Sequence, residues 1–164
     1  MIYADARPLI KSGDMLAWSH RGWGSWHSIK IQFVRMFTRS EYSHVGTAWV
    51  VGDRVFVIEA VQPKVRIYPL SKLLADGAYW LQMNAPWYAK TLTTALEIVG
   101  DNYSQIQAMQ SPFWVPPEDS LWECAELVAT IAKCDGIDLG YEYTPSAVVK
   151  AAQKIGAPIV LITK

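Results

Sequence analysis

The stretch His44-Val45-Gly46-Thr47-Ala48-Trp49-Val50-Val51-Gly52-Asp53-Arg54-Val55-Phe56-Val57-Ile58-Glu59-Ala60 decides how this chain folds. Val45 to Val51 and Val55 to Ala60 are rich in β-branched and aromatic residues, which suit a pleated, half-buried surface. Gly52-Asp53 between them suits a tight two-residue turn. With those two residues as the loop, Val51 faces Arg54, Gly46 faces Glu59 and His44 faces Val61. Side chains alternate across a strand, so His44 and Glu59 share a face as diagonal neighbours, about 7 to 8 Å apart at Cα. An imidazole and a carboxylate can bridge that gap, and glycine at 46 leaves room for the contact. A slip of one residue would turn Glu59 away. Taken singly, His44 reads as an ordinary strand histidine and Glu59 as a solvent-facing acid.

Working outward, Ser12-Gly13-Asp14 is a turn and Met15 to Trp18 a short buried strand; Gly22 and Gly24 then break the chain. Apolar residues from Trp26 to Phe37 predict a helix with Ser25 as a cap. Beyond the hairpin, Val65 to Tyr68 continues the meander after Pro63, Ser71 to Ala75 reads as one helical turn, and Ala78 to Met83 is a further strand. Lys90 to Val99 has helical spacing with Gly100 as its stop. Pro112, Pro116 and Pro117 make Ser111 to Pro117 a loop leading to a helix from about Ser120 to Cys134, and Ser120 with Glu123 resembles a capping box. Thr144-Pro145 begins a last helix ending at Gly156, and Pro158 to Ile162 is a final strand. The sum is a single α+β domain, residues 1–164, with a mostly antiparallel sheet packed against helices.

Composition removes several classes of function. Charged residues are 18% of the chain, with 15 Lys and Arg against 15 Asp and Glu, so no basic surface points to nucleic acid. No apolar run approaches the roughly 18 residues of an integral membrane segment, and Met1 to Pro8 lacks the basic and apolar regions of a signal peptide. No CxxC or HExxH spacing marks a metal site, so neither metal nor cofactor is expected, although His20, His27, His44 and Cys124 can be imagined as ligands. Ten residues apart on one helix, Cys124 and Cys134 would be separated by about 15 Å, too far for a disulfide. Free thiols suit a reducing compartment. Eight tryptophans are present. Trp18, Trp23, Trp26, Trp114 and Trp122 flank the segments discussed below, as core packing or as an aromatic cleft.

A nucleophilic cysteine needs a base to take its proton and a polar group to orient that base. Cys124, His44 and Glu59 are candidates for those roles. A thiol near a helix N-terminus gains from unpaired N–H groups and the positive end of the dipole. Yet Leu127, Val128 and Ile131 follow Cys124 at helical spacing, and that spacing alone favours a buried core residue. Cys134, near the helix end, lacks the dipole's help and reads as structural.

Tyr42-Ser43-His44-Val45-Gly46, Val57-Ile58-Glu59-Ala60, Gly100-Asp101-Asn102-Tyr103-Ser104 and Trp122-Glu123-Cys124-Ala125-Glu126-Leu127-Val128 together resemble the circularly permuted branch of the NlpC/papain-like superfamily, the YiiX-like proteins. Ser12-Gly13-Asp14-Met15-Leu16 is similar to that family's opening strand, and Thr144-Pro145-Ser146-Ala147-Val148 to its late helix. The resemblance covers nearly the whole chain in order. It implies a permuted papain-like fold whose cysteine helix follows the sheet, with Cys124 as nucleophile, His44 as base and Glu59 as the orienting third member. Ala125 stands where relatives often carry serine. The resemblance wants Cys124 at the helix tip, whereas the capping box would bury it one turn in.

Such a site implies acyl transfer through a thioester. The substrate would be a peptide or isopeptide amide, as in peptidoglycan, or a lipid-like acyl ester or amide. Tyr42, Tyr103 and Trp114 are candidate substrate-binding residues, and either tyrosine can equally be packing. A cytoplasmic or phage-encoded hydrolase fits the absence of an export signal. The rival of a different class is a tryptophan-rich binding or structural module that keeps the fold without catalysis. Oligomeric state is not legible.

Overall fold

The computed structural model describes residues 1–19, 41–103, 121–141 and 144–164. The expected helix from Trp26 to Phe37, the loop from Ser111 to Pro117, Trp114 and Ser120 lie outside the described residues.

Alternating β-branched residues place β2 (His44–Val51) against β3 (Arg54–Val61), with Val51 opposite Arg54 and Thr47 opposite Ile58. This is the register counted from Gly52-Asp53, and Gly52 takes the positive φ of 59° that such a turn requires. A second tight turn at Gln62-Pro63 returns the chain as β4 (Lys64–Pro69), placing Arg66 directly opposite Glu59. On the other side, β1 (Met15–Trp18) pairs with β2, Trp18 lying opposite His44, and β5 (Ala78–Leu81) pairs with β1. With β6 (Asn102–Tyr103), β7 (Leu121–Trp122) and β8 (Ile159–Ile162), the described residues form one sheet in the order β7-β6-β4-β3-β2-β1-β5-β8. Every neighbouring pair is antiparallel except β6 with β7. The α+β class with a mostly antiparallel sheet is therefore observed.

Among the described residues the helices are a short α1 (Tyr3–Ala6), α2 (Ala89–Ile98), α3 (Cys124–Cys134) and α4 (Pro145–Lys154), with one 3-10 turn at Leu70–Lys72. Thr144 caps α4 as expected, its Oγ1 accepting from the Ala147 N–H at 3.2 Å. The start of α3 differs from expectation. Glu123, not Ser120, is the N-cap residue, and Cys124 is the first residue of the helix. Leu121–Trp122 is drawn into the sheet beside Asn102–Tyr103, so the backbone ahead of the cysteine is extended. Trp122 Nε1 donates to Asp101 Oδ2 at 3.0 Å and ties that strand pair together.

Helix α3 buries two stripes. Cys124, Ala125, Val128 and Ala129 pack with Met15, Ala17 and Val45, and Leu127 and Ile131 pack with Ile58, Ala60, Val65, Ala95 and Ile98. The small side chains at 125 and 129 let the helix approach the sheet closely. The opposite face carries a second core of Leu16, Trp18, Ala48, Val57, Leu70, Leu74 and Trp80, closed by Ala6 and Ile10. No helix among the described residues is long and apolar enough to cross a membrane.

Candidate active site

His44, Gly46 and Ala48 alternate onto one face of β2, with Glu59 and Val57 beside them on β3. His44 Nε2 lies 2.8 Å from Glu59 Oε2. Gly46, between them on β2, leaves the space beside Glu59 open. A Cβ there would stand 2.6 Å from Val57 Cγ1 and 3.4 Å from Glu59 Cβ, so a side chain would clash with Val57 unless one of them moved. The ring of Trp18, opposite His44 in β1, covers the imidazole with centroids 5.4 Å apart. Trp18 is itself held by its Nε1 donating to the Leu73 carbonyl at 3.2 Å.

Cys124 meets the other side of the imidazole. The ionisation of its thiol is coupled to the His44 side chain and to the backbone of Val45 and Ala125. With Nε2 committed to Glu59, Nδ1 is the ring nitrogen left to serve the thiol. Each of the two residues opens its element, His44 for β2 and Cys124 for α3, so the ring reaches the sulfur at the end of the strand. At the first position of α3 the sulfur also lies among backbone N–H groups that have no partner within the helix.

The electrostatics follow from this packing. Burial alone would push the Cys124 thiol up, but the hydrogen bond and positive charge of His44, with the two backbone contacts, bring it below its ordinary value of 9.0. Burial would likewise depress His44; Cys124 and Glu59 overcome it and raise the imidazole from 6.5 to about 10. Glu59 is 2% exposed, yet His44 and Arg66 outweigh its burial and hold its carboxyl below 4.5. All three shifts favour a thiolate, an imidazolium and a carboxylate in a row.

Arg66 is the member that the sequence reading missed. Its Nε and Nη2 both contact Glu59 Oε1, at 2.8 and 2.7 Å, leaving Oε2 to the imidazole. The guanidinium lies over the Tyr68 ring, 4.6 Å from its centroid, and its side chain is 45% exposed. The signal was available: with Gln62-Pro63 as loop residues, the count used for the first hairpin sets Arg66 opposite Glu59.

Of the candidate substrate-binding residues, Tyr103 comes near the sulfur, because its strand runs beside Trp122. Burial, then the charges of Cys124 and Glu123, raise its phenol above the ordinary value. Tyr42 is 7% exposed and sits in the cluster that contains Cys124, edge-on to Tyr79 at 5.3 Å, so its position is one of packing. Trp114 lies outside the described residues. Both cysteines are free.

Comparison with solved structures finds similarity to the crystal structure of the metalloprotein YiiX from Escherichia coli O157:H7, DUF1105. The TM-score is 0.57 at 20% sequence identity, over 92% of this chain and 88% of that chain. No family model and no curated protein matches. At that identity the likeness shows a shared YiiX-like fold. Among the described residues no group of three or more His, Cys, Asp or Glu side chains is arranged to hold a metal ion. His44 Nε2 and both Glu59 oxygens are engaged with one another and with Arg66.

Proposed function

We propose that this protein is a thiol hydrolase or acyltransferase with a circularly permuted, papain-like (NlpC-type) fold. It would cleave an amide, such as a cell-wall peptide or isopeptide, or an acyl ester. The observation that carries this reading is the 2.8 Å contact of His44 with a buried Glu59, with Cys124, whose ionisation is coupled to that imidazole, at the first residue of a helix. A buried structural cysteine has no need of a charged imidazole against it. The permuted reading is supported by the chain order, in which the sheet strands bearing His44 and Glu59 precede the cysteine helix.

In this mechanism the Cys124 thiolate attacks the substrate carbonyl carbon, and the carbonyl oxygen becomes an oxyanion held by the Cys124 backbone N–H. As the intermediate collapses, the carbon–nitrogen or carbon–oxygen bond breaks and His44 gives its proton to the leaving group. A thioester remains. Water, or another acceptor in a transferase, attacks it while His44 takes the acceptor's proton, and the thiolate is released. Glu59 holds the ring in place throughout and stabilises its charged form.

Alkylation with iodoacetamide at neutral pH, followed by peptide mass mapping, tests the reading on wild type and His44→Ala. Cys124 should label at least tenfold faster than Cys134 in the wild type, and the advantage should vanish in His44→Ala. Equal, slow labelling of both cysteines in both proteins would sink the proposal and favour the non-catalytic module.

A further inference from the structure

Glu59 is buried, and its partner in the resting site is a residue that must change charge for the chemistry to proceed. When His44 gives its proton to a leaving group, the carboxylate loses its counter-cation. A buried carboxylate left alone takes up a proton or draws one back from its neighbours. Arg66 removes that difficulty, since a guanidinium stays protonated across the working range. It puts two nitrogens on the one Glu59 oxygen that the imidazole does not use. Its other face rests on Tyr68 and its side chain is half exposed, so its own charge remains partly hydrated.

From this geometry we infer that Arg66 is a positioning residue of the site: a fixed cation that keeps Glu59 ionised and oriented while His44 alternates between charged and neutral forms. The inference rests on the catalytic reading of Cys124 and His44. Arg66 acts on the sulfur only through Glu59 and His44. The groups that bear on this relay are His44 from β2, Glu59 from β3, Arg66 from β4, Tyr103 from β6, and Glu123 and Cys124 at the start of α3.

The test is the pH profile of Cys124 alkylation in wild type, Arg66→Gln and Arg66→Lys, together with thermal unfolding of each. In Arg66→Gln the carboxyl protonates at higher pH, which withdraws support from the imidazolium and then from the thiolate. The acid limb of the profile should therefore rise by about one pH unit, a loss of about tenfold in labelling rate on that limb. Arg66→Lys keeps the charge without the fork and should move the limb by less. An Arg66→Gln profile that superimposes on wild type overturns the inference even if the variant is less stable, because a merely structural arginine would not set the limb. Should Arg66→Gln fail to fold, an Arg66→Lys limb displaced upward supports the inference and an unmoved one overturns it. A wild type without preferential Cys124 labelling would instead refute the catalytic reading, and the inference with it.

Discussion

Asp14 and Glu59 are both 2% exposed, and their acidities move in opposite directions. Asp14, just ahead of β1, is hydrogen-bonded by neutral donors, the Lys11 N–H at 2.9 Å and Trp80 Nε1 at 2.8 Å on one oxygen and the Met83 N–H at 3.0 Å on the other, while the Lys11 charge contributes least of its stabilising influences. Burial wins there, and its carboxyl is raised above 3.8. Glu59 faces an imidazole and a guanidinium, and charge wins over burial. Satisfied hydrogen bonds are enough to bury an acid, but holding it as an anion that another group can use takes a cation. The first carboxylate ties two chain segments together, residues 11–14 and 80–83; the second joins an imidazole on β2 to a guanidinium on β4.

The contrast can be broken most forcefully at Asp14. Asp14→Ala strips three donors of their acceptor, two of them in hydrogen bonds that are fully buried, and should cost about 3 kcal/mol or more of stability by chemical denaturation. The folded fraction should keep the Cys124 labelling advantage. Loss of that advantage would mean Asp14 is coupled to the site after all. Glu59→Gln is the mirror case. An amide must turn its NH₂ toward either Arg66 or the imidazole N–H, so Cys124 labelling at neutral pH should fall about tenfold or more, with a smaller stability loss than Asp14→Ala. If Glu59→Gln destabilises the protein as much as Asp14→Ala while its folded fraction keeps the labelling advantage, Glu59 is merely a second Asp14.

A subtler difference lies in the pH dependence of stability. Glu59 titrates lower when folded, so its contribution is full above about pH 4.5 and is lost as pH falls through its folded pKa. Asp14 titrates higher when folded, so it opposes folding at neutral pH and that penalty is relieved as pH falls through its folded pKa. Glu59→Gln should thus flatten the acid loss of stability and Asp14→Asn should steepen it, each by up to about 1.4 kcal/mol per pH unit. Melting curves between neutral and acid pH check the two signs, and slopes that change in the same direction would refute the contrast.

Local pattern made the hairpin legible: a two-residue turn sets the register, and the register decides which face His44 and Glu59 share. The cap at Thr144 was equally legible, because both partners lie within four residues. The start of α3 was not. Ser120 and Glu123 carry a capping signature, but the extended backbone at Glu123 comes from pairing of Leu121–Trp122 with Asn102–Tyr103, a contact between distant segments that no short window contains. The same non-local pairing brings Tyr103 toward the sulfur, whereas Tyr42, nearer to His44 in sequence, is absorbed into the core.

The strand order carries one more consequence. Four strand spacings separate β7 from β2, about 19 Å across a flat sheet. Glu123 alone joins Trp122 to Cys124, a reach of about 7 Å at most. Sheets twist as strands are added, and the coupling of Cys124 to His44 requires that twist to carry the start of α3 back toward the start of β2. A change in that twist, far from Cys124 itself, would therefore register as a change in how the thiol responds to His44.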